Sequence, residues 1–468
     1  MVQIGNEIRF CNTLVTLNIS HNPVTSLPDG LYVLSHFTNL VIEGVLTLIR
    51  PPLQVAQAGA PAVRQFQRKL ERGVVTGRID LTGVGLTDFS YIRSARPSMK
   101  ELLIEGNAVV TLPSELALTS SLQLLSCASC SLSSFPVLMN LQNSLTSLDL
   151  RGNTFSELPI EISVLNSLKK FRAANVGLLS TPSWFSSLSK LLELDLSSNK
   201  LRSPSAIESI TTLVNLTKLN LENNGEIHFP AHFERLRHLK TLFLRGNGVR
   251  KLPFCLLLLT HLHDVDTALM KELIFPPQEL VTKDWAYLAS FMSRVQKSSE
   301  SLELDLMSLQ LRSFPLFVCD ITVLHSLNIS GNEISSVPQG ISCLTCITEL
   351  NVKNCPTTSL YIEHGSLAQL SAFHIDSQYL RQSASDWGVT DESMLLSVLR
   401  SLHIGRSQKQ HSYELSHCGL NNIPGSEQCS HGFYRGWTEA LSLIFAGNAL
   451  ADLDQLQIMQ SLLHLSLA

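Results

Sequence analysis

Residues 145–159 read Leu-Thr-Ser-Leu-Asp-Leu-Arg-Gly-Asn-Thr-Phe-Ser-Glu-Leu-Pro. Leu148 and Leu150 flank Asp149, the period-two alternation of a strand with one buried face. The pattern recurs. A shift of 23 residues gives Leu168, Phe171, Ala173, Val176, Leu178 and Pro182. A second shift gives Leu191, Leu194, Leu196, Asn199, Leu201 and Pro204. Two steps backwards the frame opens on Met99, Leu102, Ile104, Asn107, Val109, Leu112 and Pro113. It holds from residue 76 to 214 without a slip. Eighteen copies begin at residues 14, 37, 76, 99, 122, 145, 168, 191, 216, 239, 262, 301, 324, 347, 370, 410, 440 and 462.

One such copy cannot bury its apolar face alone, whereas stacked copies can. The expected fold is therefore an α/β solenoid spanning residues 1–468. Its strands would line a parallel concave sheet, and the remainder of each copy would return over the convex side as a short helix or extended segment. Proline two-thirds of the way along fixes φ and withdraws a donor, which ends the turn. The asparagine position serves the turn differently. A buried turn leaves backbone donors and acceptors that must be paired, and a side-chain amide supplies both kinds of group. Asn22, Asn107, Asn153, Asn199, Asn224, Asn247, Asn332 and Asn448 are the expected ladder, with Cys130, Cys355 and Cys418 in the same position.

This pattern, L-x-x-L-x-L-x-x-N-x-L-x-x-L-P, resembles the leucine-rich repeat family, and the likeness covers essentially the whole chain. It implies a horseshoe that binds partners and carries no cofactor. Three copies are long, at 37–75, 262–300 and 370–409. Residues 34–52 align without a gap on 259–277, each ending in Pro-Pro (Pro51-Pro52 and Pro276-Pro277). Val55, Val63, Phe66 and Leu70 follow in the first; Leu280, Leu288, Phe291 and Val295 in the second. That spacing predicts an amphipathic helix on the convex side. Such an element is similar to one in intracellular members of the family, including Ras-group-related, Scribble-like and Roco-type signalling proteins. Residues 424–437 are the least regular stretch and are expected to form a surface loop.

Composition narrows the function. The chain has 468 residues with a formal net charge of −4, against a nucleic-acid-binding or basic membrane-surface protein. Apolar residues make up 44%, and no run is long enough to span a bilayer. The first seven residues, Met-Val-Gln-Ile-Gly-Asn-Glu, lack the basic-then-apolar layout of a signal peptide. Ten scattered cysteines do not form a disulfide framework, which fits a reduced, cytoplasmic location. Three glycosylation-like triplets, at Asn18, Asn215 and Asn328, read as by-products of the repeat.

Catalytic signatures are not found: no phosphate loop, dinucleotide fingerprint, kinase set or nucleophile elbow occurs. Cys127 and Cys130 fall on core positions. Cys343 and Cys346 would need two further ligands to hold zinc, with Cys355 a candidate third, and no metal is expected. Asp264/Asp266 and Glu303/Asp305 each project from one face of a strand. Acidic residues at this position are routine in the motif, and an open sheet lacks the water-excluding pocket that catalysis uses. The expectation is a non-enzymatic scaffold.

The exposed face of the sheet is thus the candidate site. Its third, fifth and seventh positions hold fifteen acidic residues against seven basic ones. Asp149, Arg151, Arg172, Asp195, Phe243, Arg245, Asp264, Asp266, Glu303 and Asp305 are the expected partner-binding residues. Phe243 with Arg245 forms an anchor pair, and the acidic bias favours a protein partner with a basic surface. The chain closes on Leu465-Ser466-Leu467-Ala468 in mid-strand. That would fit the recognition arm of a larger Roco-type GTPase/kinase, the alternative to a free-standing scaffold.

Overall fold

In a computed structural model, residues 2–357 are described apart from 88–97, 114–115, 117, 156 and 282. Beyond them come 362–376, 392–407, 412–414, 442–444 and 464–466. Asn448, Cys418 and the 424–437 stretch lie outside the described residues.

Each of the eighteen frames places a three-residue strand at its third to fifth positions. After β1 (Val2–Gln3) come β2 (Thr16–Asn18), β3 (Val24–Ser26) and β4 (Asn39–Val41). A nine-stranded parallel sheet follows in sequence order. Its strands are β5 (Arg78–Asp80), β6 (Glu101–Leu103), β7 (Leu124–Ser126), β8 (Ser147–Asp149), β9 (Lys170–Arg172), β10 (Glu193–Asp195), β11 (Lys218–Asn220), β12 (Thr241–Phe243) and β13 (Asp264–Asp266). A second parallel sheet holds β14 (Glu303–Asp305), β15 (Ser326–Asn328), β16 (Glu349–Asn351) and β17 (Ala372–His374). A third holds β18 (Ser412–Glu414), β19 (Ser442–Ile444) and β20 (His464–Ser466).

The chain resolves into two compact units. One comprises residues 1–249 and 255–272 and contains the nine-stranded sheet. The other comprises 250–254 and 273–468 and contains the second and third sheets. In the first unit the inward leucines stack at a single height. Leu102, Leu125, Leu148, Phe171, Leu194, Leu219 and Leu242 are in register on successive strands and buried. Each burial removes apolar surface from water at about 25 cal/mol per Å². The return segments are mostly five-residue 3₁₀ helices such as Ile160–Val164 and Ser183–Ser187, whose middle apolar residues, Ile162 and Phe185, close the core from the other side.

Every repeat whose eighth position is described turns through a left-handed residue there. Gly83, Gly106 and Gly152 occupy it in some repeats, Ser129 and Ser198 in others, and Asn175 and Asn223 in others again, with φ between 52° and 68°. Gly, Asn and Ser tolerate this region; His21, at φ 55°, and Leu269, at φ 60°, are the bulky exceptions.

The asparagine side chains knit adjacent turns together. Asn153 Nδ2 donates to Cys127 O and Leu150 O, both at 2.8 Å. Its Oδ1 accepts from Cys130 N at 3.1 Å and Leu132 N at 2.8 Å. Asn107, Asn199, Asn224, Asn247 and Asn332 repeat the double donation, each to a carbonyl of its own repeat and one of the preceding repeat. Asn22, in the first repeat, bonds only within its own turn, to Ile19 O and Ser20 O. Cys130 and Cys355 keep one of the donations: their thiols donate to Ile104 O at 3.0 Å and Ile329 O at 3.2 Å.

The stretch after the first Pro-Pro forms α1 (Leu53–Gln57) and α2 (Ala60–Thr76). After the second it forms α3 (Trp285–Ser301), and the third long copy contains α4 (Glu392–Ser407). Val63 and Phe66 of α2, and Leu288, Phe291 and Val295 of α3, are buried. Asp284 caps α3 by accepting from Tyr287 N at 2.8 Å.

Candidate functional site

Parallel register places equivalent residues of neighbouring repeats side by side on the open face of the sheet. Across β8 to β13 the third-position row reads Ser147, Lys170, Glu193, Lys218, Thr241, Asp264. The fifth-position row reads Asp149, Arg172, Asp195, Asn220, Phe243, Asp266. Opposite charges alternate along both rows, the arrangement that cross-strand pairing favours.

Three of the expected site residues satisfy one another. Arg151 Nε donates to both oxygens of Asp149 at 3.0 Å, and Arg172 approaches the same carboxylate at 3.6 Å. Asp149 is only 4% exposed. Its hydrogen bond to Arg151 holds that guanidinium above its ordinary pKa. The three form an ion triad on the open face, its carboxylate buried and its two guanidinium groups half-exposed. Lys170 and Glu193 pair at 2.8 Å, and Arg78 and Glu101 at 3.4 Å. Such exposed pairs contribute little stability, about 0–1 kcal/mol each, but they neutralise the face at β5–β6 and at β9–β10.

The fifth-position acids have a second role that spacing alone did not disclose. Asp80, Asp149, Asp195, Asp266 and Asp305 each accept a hydrogen bond from the backbone N–H two residues on, at 2.9–3.1 Å. Asn18, Asn220, Asn328 and Asn351 do the same with a neutral amide. These are Asx turns, which start the bend out of each strand. They also account for the triplets at Asn18 and Asn328, where the turn asparagine is followed by serine at the seventh position.

Uncompensated charge gathers elsewhere. On β13, Asp264 lies beside Thr241 and Asp266 beside Phe243. On β14, in the other unit, Glu303 lies beside Ser326 and Asp305 beside Asn328. Neither strand has a basic residue at the matched position of its described neighbour.

Next to β13 the face carries its main apolar feature. Lys218 Nζ sits 5.0 Å from the Phe243 ring centroid, a cation–π contact. Arg245 is exposed two residues beyond the ring. A shallow depression of about 160 Å³ runs between β9 and β12, lined by Arg172, Asp195, Lys218, Asn220 and Phe243 among others. Lys218 and Asn220 were not singled out from the sequence. The signal was present, since Lys218 falls one repeat before Phe243 in the 23-residue frame.

Among the described residues, no three His, Cys, Asp or Glu side chains form a group able to hold a metal ion. Nor, among them, is any helix long and apolar enough to cross a membrane.

Two family models, both described as Leucine Rich Repeat, match residues 144–165 and 10–27. The first match falls on the stretch whose strand, Asx turn and asparagine bridge are described above. The chain carries leucine-rich repeats. No curated protein matches this repeat protein in sequence. Solved structures similar to it include a leucine-rich repeat protein of Leptospira interrogans, at 21% identity over 80% of this chain and 88% of that one, with a TM-score of 0.38. An internalin of Listeria monocytogenes shows 14% identity over 99% and 89% of the two chains, with a TM-score of 0.34. The repeat ectodomain of an Arabidopsis thaliana membrane receptor kinase shows 17% identity over 99% of this chain and 48% of its own, with a TM-score of 0.28. Leucine-rich repeat proteins generally act by binding other proteins.

Proposed function

We propose that this repeat protein is a non-enzymatic scaffold of intracellular signalling, one array of about 18 repeats. It binds a protein partner with a basic surface through the open face of its sheets. The observation that carries this reading is the charge left over after cross-strand pairing. The carboxylates between β8 and β10 are offset by Lys170, Arg151 and Arg172, whereas those of β13 and β14 have no basic neighbour in register. Phe243, with Lys218 above it and Arg245 beside it, supplies an aromatic anchor next to β13. The cysteines support a reducing, cytoplasmic setting. Cys130 and Cys355 act as thiol donors in the turn ladder, a role that oxidation to a disulfide would abolish.

The test uses two neutralising variants, D264N/D266N and E303Q/D305N. Asn at 266 and 305 retains the acceptor that each Asx turn needs, so the fold is undisturbed and only charge is removed. Partners are captured from cell extract with the full chain and measured against each variant. Either variant is expected to weaken binding about tenfold, as a few lost charge contacts would. Phe243→Ala is expected to do the same. Unchanged capture with all three variants would place the partner elsewhere.

A further inference from the structure

The two Pro-Pro elements are copies separated by 225 residues, and the structure extends the alignment well beyond the prolines. The isolated bridge Ser26–Arg50 is matched by Lys251–Phe275. The C-cap Gly77 of α2 is matched by Leu302 at the end of α3, and both are left-handed. One place differs in chemistry. In the first element, Arg50 pairs with Asp29 at 3.1 Å, and Gln67 of α2 donates to Pro28 O at 2.8 Å. The residues 225 positions later are Phe275, Phe254 and Met292. There the two rings meet edge-on with centroids 5.3 Å apart, and Phe317 packs on Phe275 at 5.1 Å.

In the second unit these aromatics wall a pocket of about 470 Å³, opening between α3 and the Phe254 segment. Val295 of α3 forms part of its wall. Phe275 and Phe317 are each 4% exposed and form the floor, while Phe254 is 36% exposed at the mouth. The only charged lining residues are Lys251 and Asp320, which close on each other at 2.7 Å. The matched positions of the first copy hold an ion pair and an amide, so the aromatic lining belongs to the second element alone. The pocket's volume falls in the range of small-molecule sites, about 300–1,000 Å³.

We propose that this pocket binds a small, uncharged, apolar molecule, such as an aliphatic alcohol or a neutral ring compound. Complementarity sets the class. The walls are mainly aromatic and aliphatic; Ser298 and Ser299 also line them, but their hydroxyls donate to Val295 O and Gln296 O, and Gln296 is neutral. The rim's two charges already satisfy each other, so a charged ligand would meet no unpaired counter-ion. This site is separate from the open face of the sheet, and its test does not depend on any protein partner.

The probe is Nile red, a neutral solvatochromic dye, titrated into the full chain, with 1-dodecanol and dodecanoate as competitors. Binding in the micromolar range, displaced by dodecanol at least tenfold more readily than by dodecanoate, is expected. Val295→Phe, which fills the pocket, and Phe254→Asp, which gives its mouth the residue of the first element, should each weaken binding about tenfold. Phe254 is partly exposed, so the second variant reports even where the first perturbs folding. The proposal is overturned if the wild-type chain fails to bind the dye, if Phe254→Asp binds it as tightly as wild type, or if dodecanoate competes as well as dodecanol.

Discussion

Asn153 engages both hydrogens of its amide and both lone-pair directions of its carbonyl, joining two repeats through four backbone groups. Removing that side chain leaves these groups buried without partners, at about 1–3 kcal/mol for each one unsatisfied. Asn153→Ala is therefore expected to cost at least about 4 kcal/mol in urea denaturation. Asn153→Cys should cost less, because a thiol at this position retains one donation, as Cys130 shows. Leu269 presents the opposite case. It holds a left-handed backbone while its side chain is 61% exposed, so strain is borne with little burial in return. Leu269→Gly should raise stability by about 0.5–1 kcal/mol, the relief of strain exceeding the added chain entropy. A lower thermal midpoint in this variant would contradict that balance.

At the scale of the element, the thiols give the turn ladder and its 3₁₀ segments a pH dependence. Burial pushes the Cys255 thiol up to about 11 and raises Cys127, Cys130 and Cys355. A group whose proton is held more tightly when folded stabilises the fold below its unfolded pKa, near 8.5 to 9. That contribution is lost as pH rises toward the folded value. Thermal midpoints should thus fall between pH 9 and about 11, and Cys255→Ala should lessen the fall. A profile flat across this window would show that these thiols do not couple to folding. Strand-ending turns respond to a different change. Asp305→Asn preserves the acceptor for Met307 N, whereas Asp305→Ala removes it. The first is expected to be near neutral and the second to cost about 0.5–1.5 kcal/mol, readable by parallel melts.

Across the whole molecule, partner binding through β13 and β14 should weaken as ionic strength rises, since charges on an open sheet are screened within about 10 Å at 0.1 M salt. The slope should flatten in D264N/D266N. The architecture was legible because leucine spacing is a one-dimensional record of burial: each frame opening at 145, 168 or 191 yields a strand two residues later. The site was legible only in outline. Asp149 and Asp266 look alike in sequence, yet one is buried against two arginines and the other is half-buried beside a phenylalanine. Part of the difference is written two residues on, where Ala268 stands in place of Arg151; the rest, Arg172, lies in the neighbouring repeat and emerges only once register is known. The left-handed eighth position is written in glycine, serine and asparagine, but it carries no hydrophobic signal and so does not show in the leucine spacing. The pocket beneath α3 depends on rings brought together from positions 254, 275 and 317, which no single repeat reveals.

The Asx turns separate two kinds of information that most binding surfaces confound. At the fifth position of the repeats that carry aspartate or asparagine there, the turn asks only for a carbonyl-like oxygen, and the two residues supply it equally well. Exchange between the two therefore rewrites the electrostatic character of the surface, repeat by repeat, while the scaffold beneath is untouched. A lineage could drift from an anionic to a neutral face through single-nucleotide steps that are silent for folding. Descendants of one array could in this way acquire different partners without passing through an unstable intermediate.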